Sequence, residues 1–382
     1  MKAGLLGRKL GHSLSPQIHR FFGDYEYRLY EKEPEEVERF LRTGFTNGDF
    51  DFLNVTIPYK QTVFALCDEL SPMARKLGNV NFVTWTADGK LCGDNTDAFG
   101  VGRLLDANRI DVRGWNCAIL GAGGAAMTVK AVLEERGAKS VAFVRRGENP
   151  AQDDDLIVNA TPVGMWPHTD EVRVCMTDFP CCRAVLDLVY NPSPTRLVRE
   201  AQACGKIAAD GMVMLIAQAY RAFQFSQSNN PTIQQSNSLF LYGPPASGKS
   251  TWAKRIAAAT GWALVDLDAE IVKTEGRSIP EIFATEGEKG FREIEARALR
   301  RVVAGGTGRV IALGGGALLD PESRKIAEMS GRVVVLDCPI ETLKKRLTGG
   351  DRPLSADAAK LEALVKARAA HYASFVKHVE MI

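Results

Sequence analysis

Two short glycine-rich segments, each set between an apolar run and a helix-forming run, constrain this chain more than any other feature. The first, Gly121-Ala-Gly123-Gly124-Ala-Ala126, follows Ala118-Ile-Leu120. The second, Gly243-Pro-Pro-Ala-Ser-Gly248-Lys249-Ser250, follows Leu239–Tyr242. A strand that breaks at glycines and re-enters the chain as a helix gathers unpaired N–H groups and the positive end of the helix dipole at one point, where a phosphate fits. The two loops differ in design. The second matches G-x-x-x-x-G-K-[ST], which suits a nucleoside triphosphate; the first has the spacing of a dinucleotide loop.

The runs around each loop alternate in type. Ala125–Gly137 reads as a helix ended by glycine and Ser140–Val144 as the next strand, giving a βαβ unit. In the back of the chain, Leu239–Tyr242, Ala263–Leu267, Val310–Leu313 and Arg332–Leu336 read as strands, with Lys249–Thr260 a helix. Both halves are therefore expected to be α/β with parallel sheets. Between them, residues 226–237 are almost entirely polar and uncharged, the composition of a tether.

Composition narrows the partners. A net charge of +2 with no block of five or more like charges gives no argument for a nucleic-acid surface, and the scattered arginines suit small anions. The longest apolar runs, such as Met212–Ala219, are too short to span a membrane, and the N-terminus lacks a signal-peptide core. Eight cysteines without a C-x-x-C pair fit reduced thiols and a cytoplasmic location. Oligomeric state is not legible.

In the second loop, backbone N–H groups would face the phosphates, Lys249 would add a charge and Ser250 would ligate Mg²⁺. Asp266 and Asp268, read as alternating on one face at the end of a strand, give one carboxylate for the metal shell and one to orient a hydroxyl. Further on stand Gly287-Glu-Lys-Gly-Phe291-Arg292-Glu-Ile-Glu295, Gly314-Gly315-Gly316, Asp351-Arg352-Pro353-Leu354 and Arg368-Ala-Ala-His371-Tyr372. With these motifs the back half resembles shikimate kinase along nearly all its length. The resemblance implies ATP at Gly243, Ser247, Gly248, Lys249, Ser250 and Thr251, and Mg²⁺ at Ser250 and, through water, Asp266. It implies Asp268 as base at the accepting hydroxyl, Arg292 and Arg368 on the shikimate carboxylate, Gly315 and Gly316 as N–H donors, and Arg352 on a closing lid. The family runs on past Tyr372 with a further strand and helix near the adenine, whereas this chain offers only His378–Ile382, read as a shortened last strand.

The first loop is followed at the end of its next strand by Arg145-Arg146, where an acidic residue would favour NAD and arginines favour a 2′-phosphate. Ser13, Ser15, Asn54, Thr56 and Asn81 are uncharged donors and acceptors fit for a polyhydroxylated ring acid. Lys60 and Asp97 form a candidate proton-transfer pair beside a carbonyl being reduced. His12 and His19 are read as structural, since no metal-ligand spacing occurs in this half.

Those residues lie in a set of motifs: Gly11-His12-Ser13-Leu14-Ser15-Pro16, Asn54-Val-Thr56-Ile-Pro58-Tyr-Lys60, Gly93-Asp94-Asn95-Thr96-Asp97, Asn159-Ala-Thr161-Pro-Val-Gly164-Met165, Asp187-Leu-Val-Tyr190-Asn-Pro192 and Asp210-Gly211-Met-Val-Met214 with Gln218. The set resembles shikimate dehydrogenase over residues 1 to about 225. The resemblance implies NADP(H) held at Gly121, Gly123, Gly124, Ala125, Arg145 and Arg146, Lys60 and Asp97 as the catalytic pair, and substrate contacts from the serines, Asn54, Thr56, Asn81 and Gln218. The family places a further helix and strand between the strand-end arginine and the Asn159 motif. Here only Gly147–Val158 intervene, and Asp153-Asp-Asp155 brings negative charge within ten residues of the arginines.

The expected architecture is a substrate domain over 1–100 with 211–225 packing back on it, a shortened Rossmann-like dinucleotide domain over 101–210, a linker over 226–237 and a P-loop domain over 238–382. The expected activities are reduction of 3-dehydroshikimate with NADPH and phosphorylation of shikimate with ATP. The alternatives are a kinase attached to a non-catalytic dehydrogenase-like module, or to a quinate-type dehydrogenase.

Overall fold

A computed structural model describes residues 1–11, 13–228, 238–348 and 358–380. The chain divides into two compact units, a front unit formed essentially by residues up to 232 and a back unit formed by the remainder.

The front unit opens on a six-stranded sheet of β1 (Lys2–Gly7), β2 (Glu26–Glu31), β3 (Phe52–Val55), β4 (Glu69–Leu70), β5 (Phe82–Trp85) and β6 (Leu91–Asp94), in the order β2-β1-β3-β5-β6-β4. The sheet is mixed, not parallel as expected: β5 runs antiparallel to both β3 and β6. The cause is local. Asp88-Gly89 turns the chain tightly between β5 and β6, with Gly89 at φ +82° and its N–H donating to the Thr86 carbonyl.

The second sheet holds β7 (Asn116–Leu120), β8 (Ser140–Val144), β9 (Leu156–Asn159), β10 (Ala184–Asp187) and β11 (Ile207–Ala209), all parallel, in the order β11-β10-β9-β7-β8. Set against the doubly wound order 3-2-1-4-5-6, this is the same arrangement without its third strand. Residues 145–155, which cross from the edge strand β8 to β9, contain no helix. The helix Met212–Ser228 lies along the helix Asp97–Ala107 and returns to the first sheet, with Phe225 against Phe82 and Phe223 stacked on Tyr25. That helix runs into the expected linker: Ser226 and Gln227 are buried, and the Ser226 hydroxyl donates to the Phe223 carbonyl. Residues 229–237 of that linker lie outside the described residues.

The back unit is a five-stranded parallel sheet of β12 (Ser238–Tyr242), β13 (Ala263–Asp266), β14 (Arg309–Ala312), β15 (Arg332–Asp337) and β16 (His378–Glu380), in the order β13-β14-β12-β15-β16. Phe240, Tyr242, Ile271, Ile294, Leu299, Ile311 and Val335 form one apolar layer between the sheet and its helices. The chain from His378 does form a short last strand. One expectation fails in detail: β13 stops at Asp266, and Leu267 and Asp268 begin the helix Leu267–Glu275. The Asp266 carboxylate accepts the Ala269 N–H as the helix cap, which ends the strand there.

Candidate active sites

In the front unit the polar residues converge where several strands end. Lys60 and Asp97 each stand at the first position of a helix, Lys60–Leu66 and Asp97–Ala107. Lys60 Nζ donates to Asp97 Oδ2 at 2.5 Å, and their side chains are 19% and 10% exposed. Around this pair the partners are uncharged. The Asn81 amide exchanges hydrogen bonds with Thr96, whose N–H donates to Asn81 Oδ1 at 2.7 Å and whose hydroxyl accepts from Asn81 Nδ2 at 3.0 Å. Thr96 Oγ1 also reaches Gln218 Oε1 at 3.5 Å, across from the long return helix. Asn95 donates to Asn79, and the Asn95 side-chain oxygen accepts the Asp97 N–H, fixing the start of the helix that carries Asp97.

Tyr27 donates to Asn54 Oδ1 at 2.9 Å, and the buried Asn54 Nδ2 donates to the Asn81 carbonyl at 3.5 Å, tying Asn54 to the residue just before β5. His19 stacks on Tyr27 at 4.0 Å and bonds the Tyr25 hydroxyl through Nδ1. Burial holds the His19 imidazole down to about 3, against an opposing bond from Asn54, so it is neutral near pH 7. Ser13 donates to Ser15, which is buried, while Thr56 is partly exposed beside β1. Sequence reasoning assigned no role to Tyr27, Asn79, Asn95 or Thr96. Asn95 and Thr96 sit inside a motif already singled out and Asn79 lies two residues before Asn81, whereas Tyr27, alone in a strand, carried no signal. His12 lies outside the described residues.

The dinucleotide loop leaves β7 at Gly121, whose φ of +104° requires glycine, and enters the helix Gly124–Glu135 at Gly123. No side chain caps this helix, and there is open space beside the Cα atoms of Gly123 and Gly124. The first helical N–H groups, Ala125 among them, are thus available to an anion. Arg145 and Arg146 are exposed at the C-terminal end of the neighbouring β8, with the Arg145 N–H held by the Glu148 carboxylate at 2.7 Å. The aspartates that follow point elsewhere. Asp155 accepts the Asn116 N–H and pairs with Arg183, and Asp153 accepts from the Asn116 side chain, all at the N-terminal end of β7. Five residues of strand, about 16 Å at some 3.3 Å each, separate that end from Gly121. The Asn159 motif and Asp187 meet at the C-terminal ends of β9 and β10. Asp187 accepts from Asn159, the Val189 N–H and Thr195, yet burial raises its carboxyl to about 6.

In the back unit the triphosphate loop is closed by positive φ at Gly243, Ala246 and Gly248 (+131°, +62° and +92°). Lys249 Nζ donates to the Gly243 and Pro244 carbonyls, at 2.9 and 2.7 Å, which holds it over the loop. Ser250 donates to Asp266 Oδ2 at 2.8 Å, so two hard oxygen ligands for a divalent cation are already adjacent. Thr251 is exposed in the first helical turn; Ser247 is buried, its hydroxyl without a partner among the described residues.

Beside this loop, three glycines form a turn after β14 and the charged residues press against it. A Cβ on Gly314 would fall 2.6 Å from Glu295 Oε1 and 3.2 Å from Asp268 Oδ1; one on Gly316 would fall 2.5 Å from Arg292 Nη2. Arg292 and Glu295 are paired at 2.5 Å, and Arg368 donates to the Gly315 carbonyl at 3.1 Å. Asp268, Arg292, Gly314–Gly316 and Arg368 are therefore brought together as expected, and Glu295 joins them. It is buried, with Oε1 unpartnered among the described residues; burial raises its carboxyl, opposed by Arg292. Tyr372, which donates to Gly315 O, likewise had no assigned role. Arg352 lies outside the described residues. Among the described residues no cluster of His, Cys, Asp and Glu could hold a metal by itself, and no helix is long and apolar enough to cross a membrane.

The folds and sites define a two-unit α/β chain with a dehydrogenase-type front and a P-loop transferase-type back, and comparison with known proteins agrees. Residues 5–83 match the shikimate dehydrogenase substrate binding domain and residues 245–381 match shikimate kinase. A shikimate dehydrogenase (NADP(+)) of Clostridium beijerinckii is 34% identical over 263 residues, covering 62% of this chain and 97% of that protein. Among solved structures, shikimate 5-dehydrogenase of Thermus thermophilus in complex with NADP(H) and shikimate is 31% identical with a TM-score of 0.54, covering 61% of this chain and 96% of that one. Quinate dehydrogenase of Corynebacterium glutamicum in complex with NAD is 29% identical with a TM-score of 0.53, covering 60% and 94%. The chain belongs to the shikimate dehydrogenase family and carries, in addition, a shikimate kinase domain. It thus joins the domains of two shikimate-pathway enzymes.

Proposed function

We propose that this chain reduces 3-dehydroshikimate to shikimate with NADPH in its front unit and phosphorylates shikimate to shikimate 3-phosphate with ATP in its back unit. The observation that carries the reading is the pairing of one ion pair, Lys60–Asp97, in a surround of amides and hydroxyls with a separate acid–arginine set beside a triphosphate loop. NADPH supplies hydride, and ATP with Mg²⁺ supplies the phosphoryl group. In the front unit Ser13, Ser15, Asn54, Thr56, Asn81 and Gln218 orient the ring acid. Lys60, hydrogen-bonded to Asp97, delivers the proton that the reduced carbonyl oxygen needs. Gly121, Gly123, Gly124, Ala125, Arg145 and Arg146 hold the dinucleotide.

In the back unit Asp268 takes the proton of the accepting hydroxyl, and Arg292 and Arg368 hold the substrate carboxylate, which a planar guanidinium fits better than an ammonium. Gly315 and Gly316 are substrate contacts on the adjoining turn. The loop from Gly243 to Thr251 with Lys249 cradles the phosphates, while Ser250 and Asp266 hold the metal. The chemistry is positioning and charge stabilisation more than covalent participation.

The helix-free link at 145–155 favours a second reading, in which the front unit binds the ring acid without turning it over. A quinate-type substrate is the other variant, in view of the similarity to quinate dehydrogenase. Purified full chain should oxidise NADPH on addition of 3-dehydroshikimate and release ADP on addition of shikimate with Mg-ATP. Loss of the first signal alone would select the second reading. Loss of the second signal would sink the kinase assignment, and faster turnover of the quinate counterpart would select the quinate variant.

A further inference from the structure

The Gly315 carbonyl is the meeting point of the back site. It accepts from Tyr372 Oη at 2.7 Å and from Arg368 Nη1 at 3.1 Å, with Tyr242 Oη at 3.5 Å; His371 Nε2 in turn bonds Tyr242 Oη at 3.1 Å. Arg368 and Tyr372 lie four residues apart on the helix Ala358–Ala373, hence on one face, and Tyr242 ends the strand that feeds the triphosphate loop. A carbonyl oxygen has two lone pairs, so Arg368 and Tyr372 saturate it. In a planar trans peptide the C=O of Gly315 and the N–H of Gly316 point in opposite directions. Holding the carbonyl toward the helix aims the Gly316 N–H away from it.

We infer that Tyr372 is a positioning residue for the acid substrate of the back unit: it keeps the Gly315 carbonyl bonded when Arg368 swings from that carbonyl to the substrate carboxylate. The inference rests on the kinase reading above. The exchange has a clear physical logic. Arg368 can leave this part-buried carbonyl cheaply only if another donor stays behind, because an acceptor shielded from water and left without a partner is costly. The Tyr372 hydroxyl is that donor, buried and held on the same helix face. It also fixes the Gly315–Gly316 peptide, so that Arg368 moves while the turn does not. Tyr242, at the limit of hydrogen-bond distance, is a weaker reserve.

The test is steady-state phosphoryl transfer by the full chain. Tyr372→Phe should raise KM for shikimate about tenfold, while kcat and KM for Mg-ATP change less than about twofold. Tyr242→Phe should raise the shikimate KM by less than about threefold. In an Arg368→Ala background, Tyr372→Phe should add less than about twofold, since the arginine whose release it eases is gone. An unchanged shikimate KM in Tyr372→Phe, an equal rise in both backgrounds, or a parallel loss of Mg-ATP affinity that marks a merely structural role would each overturn the inference. Absence of phosphoryl transfer in the unsubstituted protein would instead sink the kinase reading and this inference with it.

Discussion

The two sites of this chain hold their polar groups in opposite ways. The front site is a closed network of neutral partners, Thr96 with Asn81 and Gln218, Asn95 with Asn79, Tyr27 with Asn54, around a single ion pair. The back site gathers Asp268, Arg292, Glu295 and Arg368 about one glycine turn, holds Lys249 over the triphosphate loop, and leaves one buried carboxylate oxygen without a partner among the described residues. The contrast follows the chemistry proposed for each. Moving one proton next to a hydride acceptor needs one titratable pair and a surround that does not compete for that proton. Transferring a phosphoryl group to a hydroxylated acid needs charge held in advance against two anions.

The largest effects should be reciprocal. Lys60→Ala should lower NADPH oxidation by about two to four orders of magnitude and leave ADP release within about twofold. Lys249→Ala should lower ADP release by at least about a hundredfold and spare NADPH oxidation. Loss of both activities from either change would break the division into independent sites. Next in size, Arg292→Lys should raise the shikimate KM of the kinase reaction by about ten- to a hundredfold, because the forked contact is lost and Glu295 loses its close partner. An unchanged KM would mean that the charged character of the back site is not used for the acid.

A smaller effect tests the neutral network. Thr96→Val should weaken binding in the front site by roughly 1–3 kcal/mol, seen as a higher KM for 3-dehydroshikimate with the kinase unaffected. The smallest is a pH effect outside both substrate sites. The folded-state carboxyl of Asp187 is raised to about 6, above its ordinary value near 4, so its contribution to stability is fully present below about pH 4 and is lost as pH rises through 6. Asp187→Asn should therefore gain stability relative to the unsubstituted protein between about pH 4 and 7, by on the order of 2 kcal/mol, in calorimetric scans of the full chain. A flat difference would show that the three donors on Asp187 hold it ionised in the folded state.

The sequence made the loops and charged motifs legible because their chemistry is concentrated in a few neighbouring residues. Gly243–Ser250 and its helix were placed to the residue, and Arg292, Arg368 and the glycine turn converge as expected. What escaped depends on long-range packing or local competition. Tyr27 and Tyr372 work through one hydroxyl each, and nothing in a lone tyrosine marks it. Asp268 was read onto a strand because alternation continued past Asp266, where a side-chain cap instead starts a helix. Ser226 to Ser228 looked like tether and are helix, continuing the helix from Met212 whose Phe223 and Phe225 pack on Tyr25 and Phe82. The Asp153–Asp155 run looked like a threat to a phosphate near Arg145, yet the link carries it to the other end of the strands.

The central claim is that both sites work on one acid in sequence, and one incubation tests it. Full chain with 3-dehydroshikimate, NADPH and Mg-ATP should form shikimate 3-phosphate, with one NADPH oxidised for each ADP released, and none should form when NADPH is omitted. Formation of shikimate 3-phosphate from added shikimate but not from 3-dehydroshikimate would contradict it.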